Sequence, residues 1–174
     1  MKTTAKTANR GIYSYDNPLY IKSFGLACDK IYEVDFNRLE KNAKLALSLD
    51  DEYMAILQAG KAAIEYGVAG LILYINIYIK ILEKSFNFGE MVEQEVITLL
   101  GYVKFARQMI IKKETKALKS LEIIYGEDNY TSIDYWTEKE SQLMKFINKK
   151  YVDFVNAESD KIADILLQKS YVMH

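Results

Sequence analysis

Side chains that can attack a carbon, relay a proton or grip a metal are scarce in these 174 residues. The only histidine is His174 and the only cysteine is Cys28. One terminal histidine cannot serve a Ser–His or Cys–His nucleophilic pair, the Glu-x-x-His ligands of a carboxylate-bridged metal bundle, or an ordinary zinc site. Cys28 falls among the apolar positions of a predicted helix and reads as a buried structural thiol. No glycine-rich phosphate loop has P-loop or dinucleotide spacing. Carboxylates remain: "EMVEQE" places Glu90, Glu93 and Glu95 near one another, and Asp50, Asp51 and Glu52 form a trio. Paired carboxylates can do acid–base work, but acidic residues at helix starts also suit the positive end of the helix dipole, which explains both groups without catalysis. The expectation is a protein that is not an enzyme, with no metal and no cofactor.

Binding chemistry is better represented. Lys104, Arg107, Lys112, Lys113, Lys116 and Lys119 face only Glu114 within their stretch, and Lys145, Lys149 and Lys150 follow. Many are three or four positions apart, which on a helix makes a strip. Such a strip can track a phosphate backbone without reading sequence. These nine residues are the candidate nucleic-acid contacts; the competing reading is a plain solvated face. Residues 31–60 carry the opposite balance, with Glu33, Asp35, Glu40, Asp50, Asp51 and Glu52 against Arg38, Lys41 and Lys44. The chain is polarised, yet its net charge is only −1.

The elements that must hold these residues are predicted to be helices. One proline and eight glycines cannot supply the turns of an all-β protein. Half of the residues are apolar or aromatic and 27% are charged, as in an ordinary globular domain. Residues 1–16 read as a flexible, mildly basic N-terminal arm, and residues 17–174 as one helical bundle domain. Asn17 and Pro18 suit a helix start, and a first helix extends to about Val34. Helices are expected after Asp35 and after the Asp50 trio, with a bend at Gly67 and Gly70. Val92, Val96, Leu99, Val103, Ala106 and Ile110 step as a heptad, and Gly126 ends a shorter helix. "TEKE" (Thr137–Glu140) reads as a capping box that opens the final helical region, with an interruption near "NAES" (Asn156–Ser159). The stretch "VAGLILYINIYIKIL" (Val68–Leu82) is apolar on every face. It is shorter than the roughly 20 residues of a membrane span, and Asn76 and Lys80 interrupt it. It is therefore expected at the centre of an all-α bundle of six to seven helices.

Three segments resemble the small helical subunit of type III-B (Cmr) CRISPR RNA-targeting effector complexes. In "PLYIKSFGLACDKIYEV", Leu19, Ala27, Ile31, Glu33 and Val34 match the opening helix of that family. "AIEYGVAGLILYI" is similar to its glycine-centred apolar segment, with Gly67 in the glycine position. "YWTEKESQLMKFINKKYVDF" is similar to its last helix, through Trp136, Lys139, Glu140, Met144, Lys149, Lys150 and Tyr151. The resemblance implies a cytoplasmic, non-catalytic subunit in antiviral defence. Its partners would be the backbone of crRNA and target RNA and the other subunits of the effector complex. It would also self-associate into a short filament, with no membrane involved. A self-assembling structural protein, such as an archaeal viral coat or filament subunit, is the alternative, motivated by the basic arm and the apolar central stretch. A carboxylate enzyme would rest on Glu90 and Glu93 alone.

Overall fold

The structure is a computed structural model and describes residues 33–87, 93–126 and 130–172. The expected arm, most of the first predicted helix, Cys28, Glu90 and His174 lie outside the described residues. Every regular element described is helical: α1 (Glu33–Ser48), α2 (Glu52–Asn87), α3 (Glu93–Ile111), α4 (Thr115–Tyr125), α5 (Ile133–Met144), a 3-10 turn (Lys149–Tyr151) and α6 (Val152–Val172). The protein is an all-α bundle with a strongly apolar helix at its centre.

The acidic trio builds a tight corner. Asp50 adopts a left-handed conformation (φ 58°) that reverses the chain after α1. The Asp51 N–H returns to the Ala46 carbonyl at 2.9 Å. The Asp51 carboxylate accepts the Met54 N–H at 3.1 Å, so it caps α2.

The bend expected at Gly67 is a full reversal. Gly67 has φ 64° and ψ −137°, a conformation open to glycine and strained for other residues. A Cβ on Gly70 would lie 1.8 Å from the Ala62 carbonyl oxygen. At the far end, the Lys84 ammonium pairs with the Asp50 carboxylate. Both contacts straddle Gly67 almost symmetrically, so residues 52–66 and 68–87 run antiparallel as two arms of one hairpin. Gly70 has no side chain because the first arm's backbone occupies that space.

A reversal inside a helix strips hydrogen bonds from backbone groups that are buried, a costly state unless partners are found. Ser120, fully buried on α4, supplies them. Its hydroxyl accepts the Ala69 N–H at 3.1 Å and donates to the Tyr66 carbonyl. The Tyr125 hydroxyl, also from α4, donates to the Ala69 carbonyl at 3.4 Å. Short α4 is thereby bonded to both arms.

By length and composition, Glu52–Lys84 is apolar enough to cross a membrane, with a mean hydropathy of 1.6 in its most apolar 18-residue window. In this fold 78% of that window is buried within the protein. Tyr74 and Tyr78 pack edge to face at 5.6 Å, and Tyr74 meets Tyr102 of α3 at 5.9 Å. Of the expected heptad, Val92 lies outside the described residues; Val96, Leu99, Val103, Ala106 and Ile110 are buried, but so are Ile97, Leu100, Tyr102, Phe105 and Met109 between them. α3 is thus a second core helix rather than a surface helix with one seam.

Two expected boundaries shift. α5 begins at Ile133, where the Ser132 hydroxyl accepts the Asp134 N–H. Thr137 and Glu140 lie inside the helix and do not form a capping box, because Ser132 takes the cap in the preceding turn. The interruption falls at residues 145–151, not at Asn156–Ser159. Asn148 caps the 3-10 turn there through the Lys150 N–H, while Ser159 stays in α6 and faces inward.

Ser120→Ala leaves the Ala69 N–H and Tyr66 carbonyl without their shared partner. Denaturant unfolding is expected to show a loss of about 1–3 kcal/mol for each group stranded. Alkali should act on the buried phenols. Burial raises Tyr135 from 10.0 to about 12, against a small opposing effect from its bond to Asn76, and burial pushes Tyr125 up further. The folded state favours the neutral phenol, so this stability is intact below pH 10.0 and declines as pH rises toward about 12, where the unfolded chain ionises first. Thermal unfolding across that range, followed with tyrosinate absorbance, measures it.

Candidate nucleic-acid interface

The nine candidate residues separate into two groups. Lys104 is only 8% exposed and does not join a surface strip. Its ammonium donates to Ser159 Oγ and Asp160 Oδ1, each at 2.8 Å, and to the Asn156 carbonyl and side chain at 3.3 Å. Arg107 bonds Glu140 of α5 at 2.6 Å, with 19% and 24% of the two side chains exposed. These two cations hold α6 and α5 against α3. Helical spacing alone puts them in line with Lys112, but two helices cover that face.

The same contacts locate the others. A Cβ on Gly101 would meet Ile162, whereas Lys104 reaches back to Asn156 and Asp160. Residue numbers rise along α3 as they fall along α6, so these helices are antiparallel. The end of α3 is seven residues, or about 10 Å, beyond Lys104, level with the start of α6. Lys112 and Lys113 at the end of α3 therefore share one end of the bundle with Lys149 and Lys150. Lys145 follows α5 directly and is joined to the 3-10 turn by a few residues, so it belongs there too. Lys116 and Lys119 extend the group along α4, whose buried positions are Ala117, Ser120 and Leu121.

Local structure explains each lysine's place. Lys113 is left-handed (φ 53°), and the next N–H, of Glu114, returns to the Met109 carbonyl at 3.0 Å, ending α3 sharply. Glu114 then caps α4 by accepting the Lys116 N–H at 3.4 Å. Lys145 is the C-cap of α5. Cations at helix C-termini are favoured by the dipole, so Lys112, Lys113 and Lys145 also complement the ends of α3 and α5. Lys150 lies over the ring of exposed Tyr151 at 5.2 Å. Lys112, Lys113, Lys119, Lys145, Lys149 and Lys150 are exposed and Lys116 is half-buried. The result is a basic end with an aromatic ring, fit to lie along phosphates and to meet a base.

The acidic groups do not form a site of this kind. Glu93 sits in the first turn of α3 with Glu95. Among the described residues, no three His, Cys, Asp or Glu side chains converge to hold a metal ion.

A second feature is not apparent in the sequence. A cleft of about 410 Å³ lies between α1, the second arm of α2 and α5, with Tyr125 and Tyr130 in its wall. Asn76 and Lys80, which in the sequence only interrupt an apolar run, open onto it. Their i,i+4 spacing is the signal, since it puts both polar groups on one stripe of an otherwise apolar helix.

Lys104→Ala should destabilise the fold by about 1–3 kcal/mol, because Ser159 and Asn156 lose a charged partner inside the structure. Lys113→Ala and Lys149→Ala should each stay within about 0.5 kcal/mol of the parent in the same unfolding titration. Comparison of the chain with protein-family models, curated proteins and solved structures gives no match.

Proposed function

We propose that this protein is a non-catalytic small subunit of a CRISPR ribonucleoprotein effector complex. In this reading its basic end lies along the guide–target RNA backbone, and the subunit stacks with like copies. The observation that carries the reading is convergence: lysines following α3, following α5 and preceding α6 share one end of the bundle. Phosphate contact needs such a cluster of cations and no base-reading motif. The three resembling segments supply the type of complex. Exposed Phe154 and Ile165 on α6, and Leu45 and Leu49 at the end of α1, offer apolar area for contacts between subunits. Lys104 and Arg107 serve the fold in this scheme and leave the set of RNA contacts.

Binding of a guide–target RNA duplex, titrated at several salt concentrations, tests the reading. Exchange of Lys113, Lys145, Lys149 and Lys150 for Glu should weaken binding strongly. It should also flatten the log–log salt dependence by about 0.7–0.9 for each phosphate that is no longer neutralised. Unchanged affinity and an unchanged slope would remove RNA-backbone contact as the function of this end.

A further inference from the structure

The cleft beside Asn76 contains a partly buried cation that forms no ion pair among the described residues, although Glu40 and Glu83 also line the cleft. The Lys139 ammonium is held by the Gln142 side-chain carbonyl at 3.3 Å and lies over the Tyr135 ring at 5.3 Å. No carboxylate lies within ion-pair distance of it among the described residues, whereas nearby Lys44 is matched by Glu40 at 3.4 Å. Burial lowers the Lys139 pKa from its ordinary value and outweighs the opposing pull of the neighbouring Glu138 charge, the direction expected of a cation that gives up water without an ion pair to replace it. Lys80, exposed on the cleft's edge, adds a second positive charge.

The rest of the cleft suits a flat, hydrogen-bonding ring. Tyr125 and Tyr130 pack at 4.7 Å, and Tyr130 packs against Tyr135 at 4.8 Å. The Trp136 indole N–H donates to the Tyr130 carbonyl at 3.0 Å, so the wall is fixed before any ligand arrives. The Asn76 amide N–H2 donates to the Tyr135 hydroxyl at 3.3 Å, which leaves the Asn76 carbonyl as an acceptor. The Gln142 carbonyl accepts from Lys139, which leaves the Gln142 N–H2 as a donor. One acceptor and one donor beside tyrosine rings are the chemistry that reads a nucleobase edge, and a neighbouring unpaired ammonium is the chemistry that takes a phosphate.

We propose that this cleft binds a nucleoside monophosphate unit, with the base against Tyr125 and Tyr130, its edge on Asn76 and Gln142, and the phosphate on Lys139 and Lys80. The unit is either a free mononucleotide or the terminal nucleotide of an RNA strand. The cleft is formed by α1, α2 and α5 with Tyr125 at the end of α4 and Tyr130, and uses none of the lysines assigned to the RNA-backbone end.

Isothermal titration of the full chain with 5′-AMP, 5′-UMP and a short 5′-phosphorylated RNA tests the proposal. At least one of the three should bind with a submillimolar Kd. Lys139→Met should weaken that binding about tenfold or more, since the phosphate then has no charge-assisted donor at that position. The same variant should keep the thermal midpoint, because it removes a partly desolvated cation that makes no ion pair, at the cost of its bond to Gln142 and its place over Tyr135. Lys80→Met, at an exposed position, should weaken binding less and leave folding unchanged. Binding of the mononucleotides identifies a free ligand; binding of the phosphorylated RNA alone identifies a strand end. The Lys149→Glu, Lys150→Glu double variant should retain mononucleotide affinity, so failure of the RNA-backbone reading is seen separately. No binding of any probe at millimolar concentration, or binding indifferent to both Lys139→Met and Lys80→Met, overturns the proposal.

Discussion

The bond between Ser120 and the backbone on both sides of Gly67 is the constraint from which the remaining architecture follows. A helix can reverse only by breaking its own ladder, and the broken groups here lie in the core. One hydroxyl, accepting from Ala69 and donating to Tyr66, closes the gap. Because it comes from α4, it also determines where α4 sits. Tyr125 on the same helix then reaches the Ala69 carbonyl and places its ring on Phe36 at 5.8 Å. The line of rings continues through Tyr130, Tyr135 and Trp136, tying α1, α2, α4 and α5 together. Hydrophobic burial supplies most of the stabilisation in such a core. The directional contacts choose which helices face one another.

Charge is divided by a similar logic. Lys104 and Arg107 lie one turn apart on α3 and carry the same charge as the lysines that follow. Neighbouring helices decide between them. Where α5 and α6 cover α3, a cation must find carbonyls and carboxylates, and Lys104 finds four acceptor atoms. Past Ile111 the chain leaves that cover, and cations can remain in water. The internal pairs set the alignment of the helices, and the alignment gathers the external lysines.

The helical class is readable from the scarcity of breakers, and so is the role of Val68–Leu82, because an apolar run too short and too interrupted for a span has few other homes. The reversal at Gly67 is legible only as a bend. Its sharpness depends on Ser120, more than fifty residues away, and no local pattern carries that information. The break after Met144 is hard to place because Asn148, a good cap, sits in a lysine-rich stretch with a helical look, while Asn156 and Ser159 look like breakers. Those two are tolerated in α6 because their side chains bond across to Lys104. The basic end is half legible. Charge along the chain is visible, but separating the buried cations from the exposed ones requires the packing of three helices. The cleft is invisible for the same reason, since its walls come from segments far apart in sequence.

The hairpin also bears on how the chain is made. The contacts between its two arms close between residues no more than 34 positions apart, from Asp50 to Lys84, whereas the Ser120 bonds at the turn must wait for α4. Contacts of such short range form early and quickly compared with those that bring α6 onto α3. A straight helix over Glu52–Asn87 would instead be a rod of about 54 Å, mostly greasy along its length. Folding back halves that length and hides much of each arm against the other. A glycine at residue 67 thus turns what would be one long apolar rod into a compact pair of arms.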